Sequence, residues 1–146
     1  MRDVREEILA RLLEVIASIP NIKSAYRNNV DIPEEALPAA IVFDGDEETA
    51  GADDRSARPA NRPYVVRMTP EILVAQQADQ VGPELTVLRR ELIRRVLTDT
   101  QLIALVGGNG AIRYLGCQTD VGWMRSLHGV LMALFMFQYS LKIEEL

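Results

Sequence analysis

Ser126, His128 and Asp120 are the residue types of a nucleophilic triad, in which an imidazole held by a carboxylate draws the proton from a serine hydroxyl. His128 is the only histidine in the chain, so any imidazole base must be this one. Its spacing from Ser126 argues against the chemistry. Two residues apart in extended chain, the side chains splay along one face with no fixed hydrogen bond between them. The spacing instead predicts a histidine flanking a turn before Gly129. The glycine run GGNG at 107–110 lacks the Lys-Ser/Thr ending of a phosphate loop and reads as a turn that tolerates positive φ.

Charge is the next candidate chemistry. Residues 44–63, DGDEETAGADDRSARPANRP, carry Asp44, Asp46, Glu47, Glu48, Asp53 and Asp54, and after them Arg55, Arg58 and Arg62. The acids do not keep the alternating spacing of a calcium loop, and no Cys/His cluster suggests zinc, so no metal or other cofactor is expected. The composition is that of a solvated, flexible loop. In RRELIRR (89–95), Arg90 and Arg94 point away from the apolar stripe of a helix, with Arg89 and Arg95 flanking it. A solvated helix face is one reading, and acids on a neighbouring molecule are the other. Trp123 falls in a loop, where it either plugs its own domain or anchors an interface.

Bulk composition narrows the classes. The 146 residues suit one domain, 1–146, large enough for its own core. Sixteen bases against 21 acids give a net charge of −5, which opposes a protein built mainly to grip nucleic acid. Six of those acids lie between Asp44 and Asp54, so the body is nearly neutral, and 48% of residues are hydrophobic. A single cysteine, Cys117, excludes an internal disulfide framework. The charged amino terminus predicts neither a signal peptide nor a membrane span, so a cytosolic product is expected.

These residues must be positioned by a small set of elements. Val4, Ile8, Leu12, Val15, Ile16 and Ile19 recur every three or four residues and predict a helix over 3–18, with Asp3 as N-cap, Glu6 completing a capping box, and Pro20 and Asn21 as the stop. Strands are predicted over 22–27 and 39–43, separated by a loop containing Pro33 and Pro38. Alternation predicts a strand over 64–76, with Tyr64, Val66, Met68, Ile72 and Val74 sharing one face and a bulge or edge position at Pro70. Gly82 and Pro83 open a helix over 83–98 with Leu85, Leu88, Leu92 and Val96 inward. One more helical turn, a glycine turn and a strand over 111–117 follow. The last strand has no polar residue from 130 to 137, which predicts cover on both faces; from 138 it alternates, with Tyr139, Leu141 and Ile143 inward. The fold class is α+β: a mostly antiparallel sheet with two helices on one face and a long charged loop, 44–63, between two central strands.

The order IPNIKSAYR, ALPAAIVFD, a long polar loop, PYVVRMTPEILV, the helix PELTVLRRELIRRVL, GAIRYLGCQTDVG and the terminal GVLMALFMFQYSLKI resembles the tail terminator proteins of long-tailed bacteriophages over nearly the whole chain. The resemblance implies a structural virion protein and no enzyme: a hexameric ring that caps the tail tube, stops its polymerisation and presents a docking surface to the head-side connector. It implies three partners: further copies of the chain, the tube protein on one face and a head-completion or connector protein on the other. DNA would pass through the ring without sequence-specific binding, and no membrane is involved. The implied place is the tail or neck of the virion, with the host cytoplasm during assembly. Residues 44–63 become an assembly arm ordered by its partners, its acids facing the arginines of the next subunit. Other neck, tail-completion or tube-like subunits fit the same pattern. A monomeric ligand-binding module or enzyme with 44–63 as a mobile lid is the alternative from another class.

Overall fold

The computed structural model describes residues 1–50, 62–77, 82–108, 110–121 and 128–146, with backbone alone for Asp120, Val121 and His128. The chain runs α1 (Val4–Ala17), β1 (Ser24–Arg27), β2 (Ala39–Thr49), β3 (Tyr64–Gln77), α2 (Pro83–Thr98), α3 (Thr100–Val106), β4 (Ala111–Val121) and β5 (His128–Leu141). The five strands form one sheet in the order β1-β2-β3-β5-β4, antiparallel throughout except for the parallel β1–β2 pair. This is the expected α+β architecture, with α3 as a third short helix.

The helices form because their caps and stripes agree. The Asp3 carboxylate accepts from the backbone N–H of Arg5 and Glu6, satisfying donors that an α-helix leaves open. The reciprocal half of the capping box does not form, because Glu6 turns instead to Arg27 on β1. Asp99 caps α3 through the Leu102 N–H at 3.0 Å. The same carboxylate takes a two-pronged bond from Arg11 at 2.7 and 3.0 Å, which ties α1 to the α2–α3 corner. Leu85, Leu88, Leu92 and Val96 are the buried stripe of α2, as the spacing predicts.

All three helices contribute to one core on one face of the sheet. Ile8, Leu12 and Ile16 from α1 meet Val42, Met68, Ile72, Phe135 and Phe137 there. Phe135 and Phe137 are fully buried, and truncating either to alanine removes about 3–5 kcal/mol. Among the described residues no helix lies on the second face. There the segment before β2 crosses it, where Ile32 and Leu37 pack on Ala39, Ala75 and Val130. The expectation that 130–137 is covered on both faces is therefore corrected. Val130, Met132 and Leu134 are half-buried on the open face, while Leu131, Ala133, Phe135 and Phe137 enter the core. Ile143 is also corrected: β5 ends at Leu141, and Ile143 lies half exposed in a 3₁₀ turn.

β2 runs six residues further than expected. Asp44–Thr49, read from composition as the start of a loop, continues the strand and pairs with β3. The extension crosses an irregularity. Phe43 faces Glu71 and Asp46 faces Thr69, so β2 has one residue too many opposite Pro70. β4 has its own irregularity between Tyr114 and Gly116. Met68 faces Phe137 and Glu71 faces Leu134, which sets Pro70 level with Phe135, the partner of Tyr114. Both bulges thus lie on one row with Pro70, forming a crease across the sheet. Pro70 sits in the middle strand on that row, without an N–H to give, and the Thr69 carbonyl just before it faces the bulge in β2.

Gly45 makes that bulge possible. Its φ is +69°, and a Cβ there would stand 2.0 Å from the Thr69 carbonyl oxygen. We expect Gly45→Ala to cost at least about 2 kcal/mol, combining left-handed strain with a backbone clash. Gly107→Ala is the control for the clash, since open space surrounds it; its φ of +77° with ψ of 178° is glycine-favouring backbone, so strain alone, about 1–3 kcal/mol, is expected there. Thermal or urea unfolding of the two variants checks the contrast, and equal losses would count against the clash.

Candidate interaction surface

The bulge divides the acidic run between the two faces of the sheet. Before it, Ala40 and Val42 point to the helices; after it, Glu47, facing Met68, takes the helix side, and Asp46 and Glu48 turn to the open face opposite Thr69 and Arg67. Asp44 lies at the junction on the helix side. Arg27 grips it through Nε–Oδ1 at 2.8 Å and Nη2–Oδ2 at 3.0 Å, and grips Glu6 of α1 at 2.6 and 2.8 Å. One guanidinium therefore joins α1, β1 and the start of the β2 extension. Glu47 accepts a hydrogen bond from the Tyr139 hydroxyl and lies 3.9 Å from the Arg5 Nε. Burial, then the Glu47 bond, pushes the Tyr139 phenol well above its ordinary range.

The expected interface residues therefore separate into groups. Asp44 and Glu47 are engaged within the subunit. Asp46 and Glu48 are exposed on the open face and make no ion pair among the described residues. Arg62 is exposed. Arg90 and Arg94 are exposed on the outer side of α2, as the wheel predicts, with Arg94 bonded to Glu91 at 2.7 Å. Asp53, Asp54, Arg55, Arg58 and Trp123 lie outside the described residues, as do Ser126 and the side chains of Asp120 and His128.

Sequence reasoning passed over Arg27, Glu6 and Tyr139. Arg27 closes a predicted strand and Glu6 sits in a capping pattern, so each had a local explanation. Arg89, which the sequence sets beside the α2 stripe, has a partner the spacing does not show: its guanidinium lies 5.7 Å from the Tyr114 ring centre, with Tyr114 in turn against Phe135.

The open face has an apolar centre and a charged margin. Tyr26, Ile41, Leu73 and Met132 form one row; Phe43, Glu71 and Leu134 form the next. Past the crease come Asp46, Thr69 and Arg113, then Glu48, Arg67 and Gln138, with Arg67 Nε donating to Gln138 at 3.1 Å. Ile41 and Met136 are buried, while Phe43, Leu73, Met132 and Leu134 are half-buried and Val65 is exposed. A shallow cleft of about 500 Å³ lies elsewhere, between Asn21, Pro38, Gln76 and α2, and its Glu84 carboxylate accepts from Gln76 Nε2 at 2.8 Å.

The Arg27 network should show in pH dependence. The Arg27 hydrogen bonds hold the Glu6 and Asp44 carboxyls below the usual carboxylate range. A carboxylate held low binds fewer protons folded than unfolded, so its contribution is full above that range and fades as pH falls through it. Arg27→Met leaves two carboxylates facing each other and should cost about 1–2 kcal/mol at pH 7, the pair being only partly buried. Melting from pH 7 to pH 3 should narrow the gap between variant and wild type. A constant gap would assign Arg27 a packing role instead.

No family model and no curated protein matches the chain. Among solved structures, one known only by a sequence identifier aligns at TM-score 0.54 and 15% identity, covering 94% of each chain. A chain from the virion of a native gene transfer agent particle aligns at TM-score 0.53 and 14% identity, over 93% of this chain and 91% of that one. The sheath/tube terminator of an extracellular contractile injection system aligns at 0.48 and 13%, over 97% of this chain and 57% of that one. At the identities of the first two, what this chain has in common with them is the fold, end to end.

Proposed function

We propose that this chain is a structural subunit of a phage-like particle and serves as a tail terminator. Copies close into a ring, probed below as a hexamer, which caps the tail tube, halts its polymerisation and receives the head-side connector. The single observation behind this reading is the fold held in common, nearly end to end, with a chain of a gene transfer agent virion. The sheet face on which no described helix lies agrees with it, since a half-buried apolar surface is suited to cover by another molecule. The order of sequence segments, which resembles that of phage tail terminators, supplies the specific role.

In this reading the chain does no catalysis. DNA passes through a lumen whose acids do not hold phosphate, and the protein resides in the tail or neck after assembly in the host cytoplasm. The segment joining β2 to β3 is an assembly arm, rooted by the Asp44 and Glu47 contacts and completed by its partners. A neck or tail-completion subunit would have the same fold and the same surfaces; tail length separates the two.

Removing this chain from an assembling particle should give overlong tails without heads, seen by electron microscopy. Deleting residues 51–61 should reproduce that defect while the melting temperature of the purified subunit stays close to wild type, because loop shortening changes closure entropy by only about 0.6 kcal/mol per halving. Native mass spectrometry should give the mass of six copies. Normal tails in both cases would remove the terminator role, and normal tails from the deletion alone would reduce the arm to a spacer.

A further inference from the structure

We propose that copies of this chain join edge to edge: the Asp46–Thr49 end of β2 in one copy pairs antiparallel with the start of β4, residues 111–114, in the next. The proposal rests on the ring reading above and names the surface that builds the ring.

Both edges are open among the described residues. β1 pairs with β2 only from Ala39 to Val42. Asn28 extends that cover by one step, its N–H bonding the Val42 carbonyl and its Oδ1 accepting from the Asp44 N–H at 3.1 Å. Past the crease no strand lies on the outer side of β2. β4 has β5 on one side and no strand on the other. Unpaired strand edges are templates for strand addition unless something opposes it.

Polarity decides which edges can meet. Beyond the crease the sheet has four strands, β2-β3-β5-β4, all antiparallel, so β2 and β4 run in opposite directions. Repeating such a sheet head to tail sets β4 of one copy beside β2 of the next in antiparallel sense, with the same face outward. An odd number of strands would have set them parallel.

Charge makes the same choice. Asp46 and Glu48 stand exposed on the open face of the β2 edge, and Arg113 stands exposed on the same face of the β4 edge. Asp46 and Arg113 occupy one row of the sheet, through Thr69 and Met136, so an unstaggered junction brings them together and a two-residue stagger brings in Glu48. Two β2 edges would oppose acid to acid, and two β4 edges arginine to arginine. Self-pairing is thereby disfavoured and the head-to-tail junction selected. Head-to-tail contacts close into rings when the rotation permits.

Cross-linking of the full chain tests this. In a Cys117→Ser background, Asp46→Cys or Glu48→Cys is combined with Ala111→Cys or Arg113→Cys, covering the in-register and staggered junctions. Opposed residues of an antiparallel pair fall within disulfide range. Mild oxidation should give a ladder of oligomers for at least one pair and no more than dimers for single cysteines. Separately, Arg113→Glu should raise the concentration for half-assembly about fivefold or more, and adding Asp46→Arg and Glu48→Arg should restore it. Native mass spectrometry and circular dichroism on the same samples report ring and fold. A ring of folded subunits with no ladder and no response to charge reversal would overturn the edge junction and leave the terminator reading standing. A ladder without closed rings would sustain the junction and overturn the ring. Monomers at every concentration would overturn both.

Discussion

A crease across the sheet, on the row of Pro70 in its middle strand, is the constraint on which the two outer strands depend. Pro70 has no N–H to give, and it has strands on both sides. β3 and β5 keep their alternation past it. The strands outside them each gain a residue on the same row, β2 at Gly45 and β4 at Leu115. An added residue reverses which side chains face the core. On β2 the inward set changes from Ala40 and Val42 to Glu47; on β4 it changes from Ile112 and Tyr114 to Cys117. The phase of both outer strands therefore changes on a single row of the sheet.

The reversal gives the acidic run its two roles. Without it Asp46 would face α1 and Glu47 the open side. With it Glu47 reaches the Tyr139 hydroxyl, Asp44 reaches Arg27, and Asp46 and Glu48 face outward. A run that looks uniformly solvated in composition is thus partly tied to its own subunit, through Asp44 and Glu47. Arg27 satisfies two carboxylates at once, which is why acids can lie so near a core of Ile8, Val42 and Leu12 without a large desolvation penalty.

Much of this was legible in the chain. The stripes of α1 and α2, the N-cap at Asp3 and the inner face of β3 follow from periodicity and agree with the fold. Pro70 announced an irregularity, but not which strand would hold it. Gly45 and Thr69 meet only once β2 and β3 are in register, and register is a long-range property. The Asp44–Thr49 extension was missed because Asp, Glu and Gly are poor strand formers; pairing with Val66–Thr69 overrides that tendency. The error at 130–137 has a different origin. An apolar residue such as Met132 or Leu134 signals that something covers it, whereas the sequence pattern does not distinguish a helix of the same chain from a second molecule.

The crease also separates two kinds of work. On its inner side the sheet has five strands, with β1 closing the edge and Ile32 and Leu37 crossing the second face. On its outer side four strands end in two edges of opposite charge that no described strand covers. Left to itself, such a ribbon would twist and fray, and each association event would first have to order it. The Arg27 bridge from Glu6 of α1 to Asp44, and the Tyr139–Glu47 bond between β5 and β2, brace the β2 edge of the outer half before any partner arrives. Pre-set geometry lowers the entropy lost on binding and favours one junction angle over others. For a chain that must close a ring, constancy of angle matters more than strength of any single contact, because the same small error would recur at every junction.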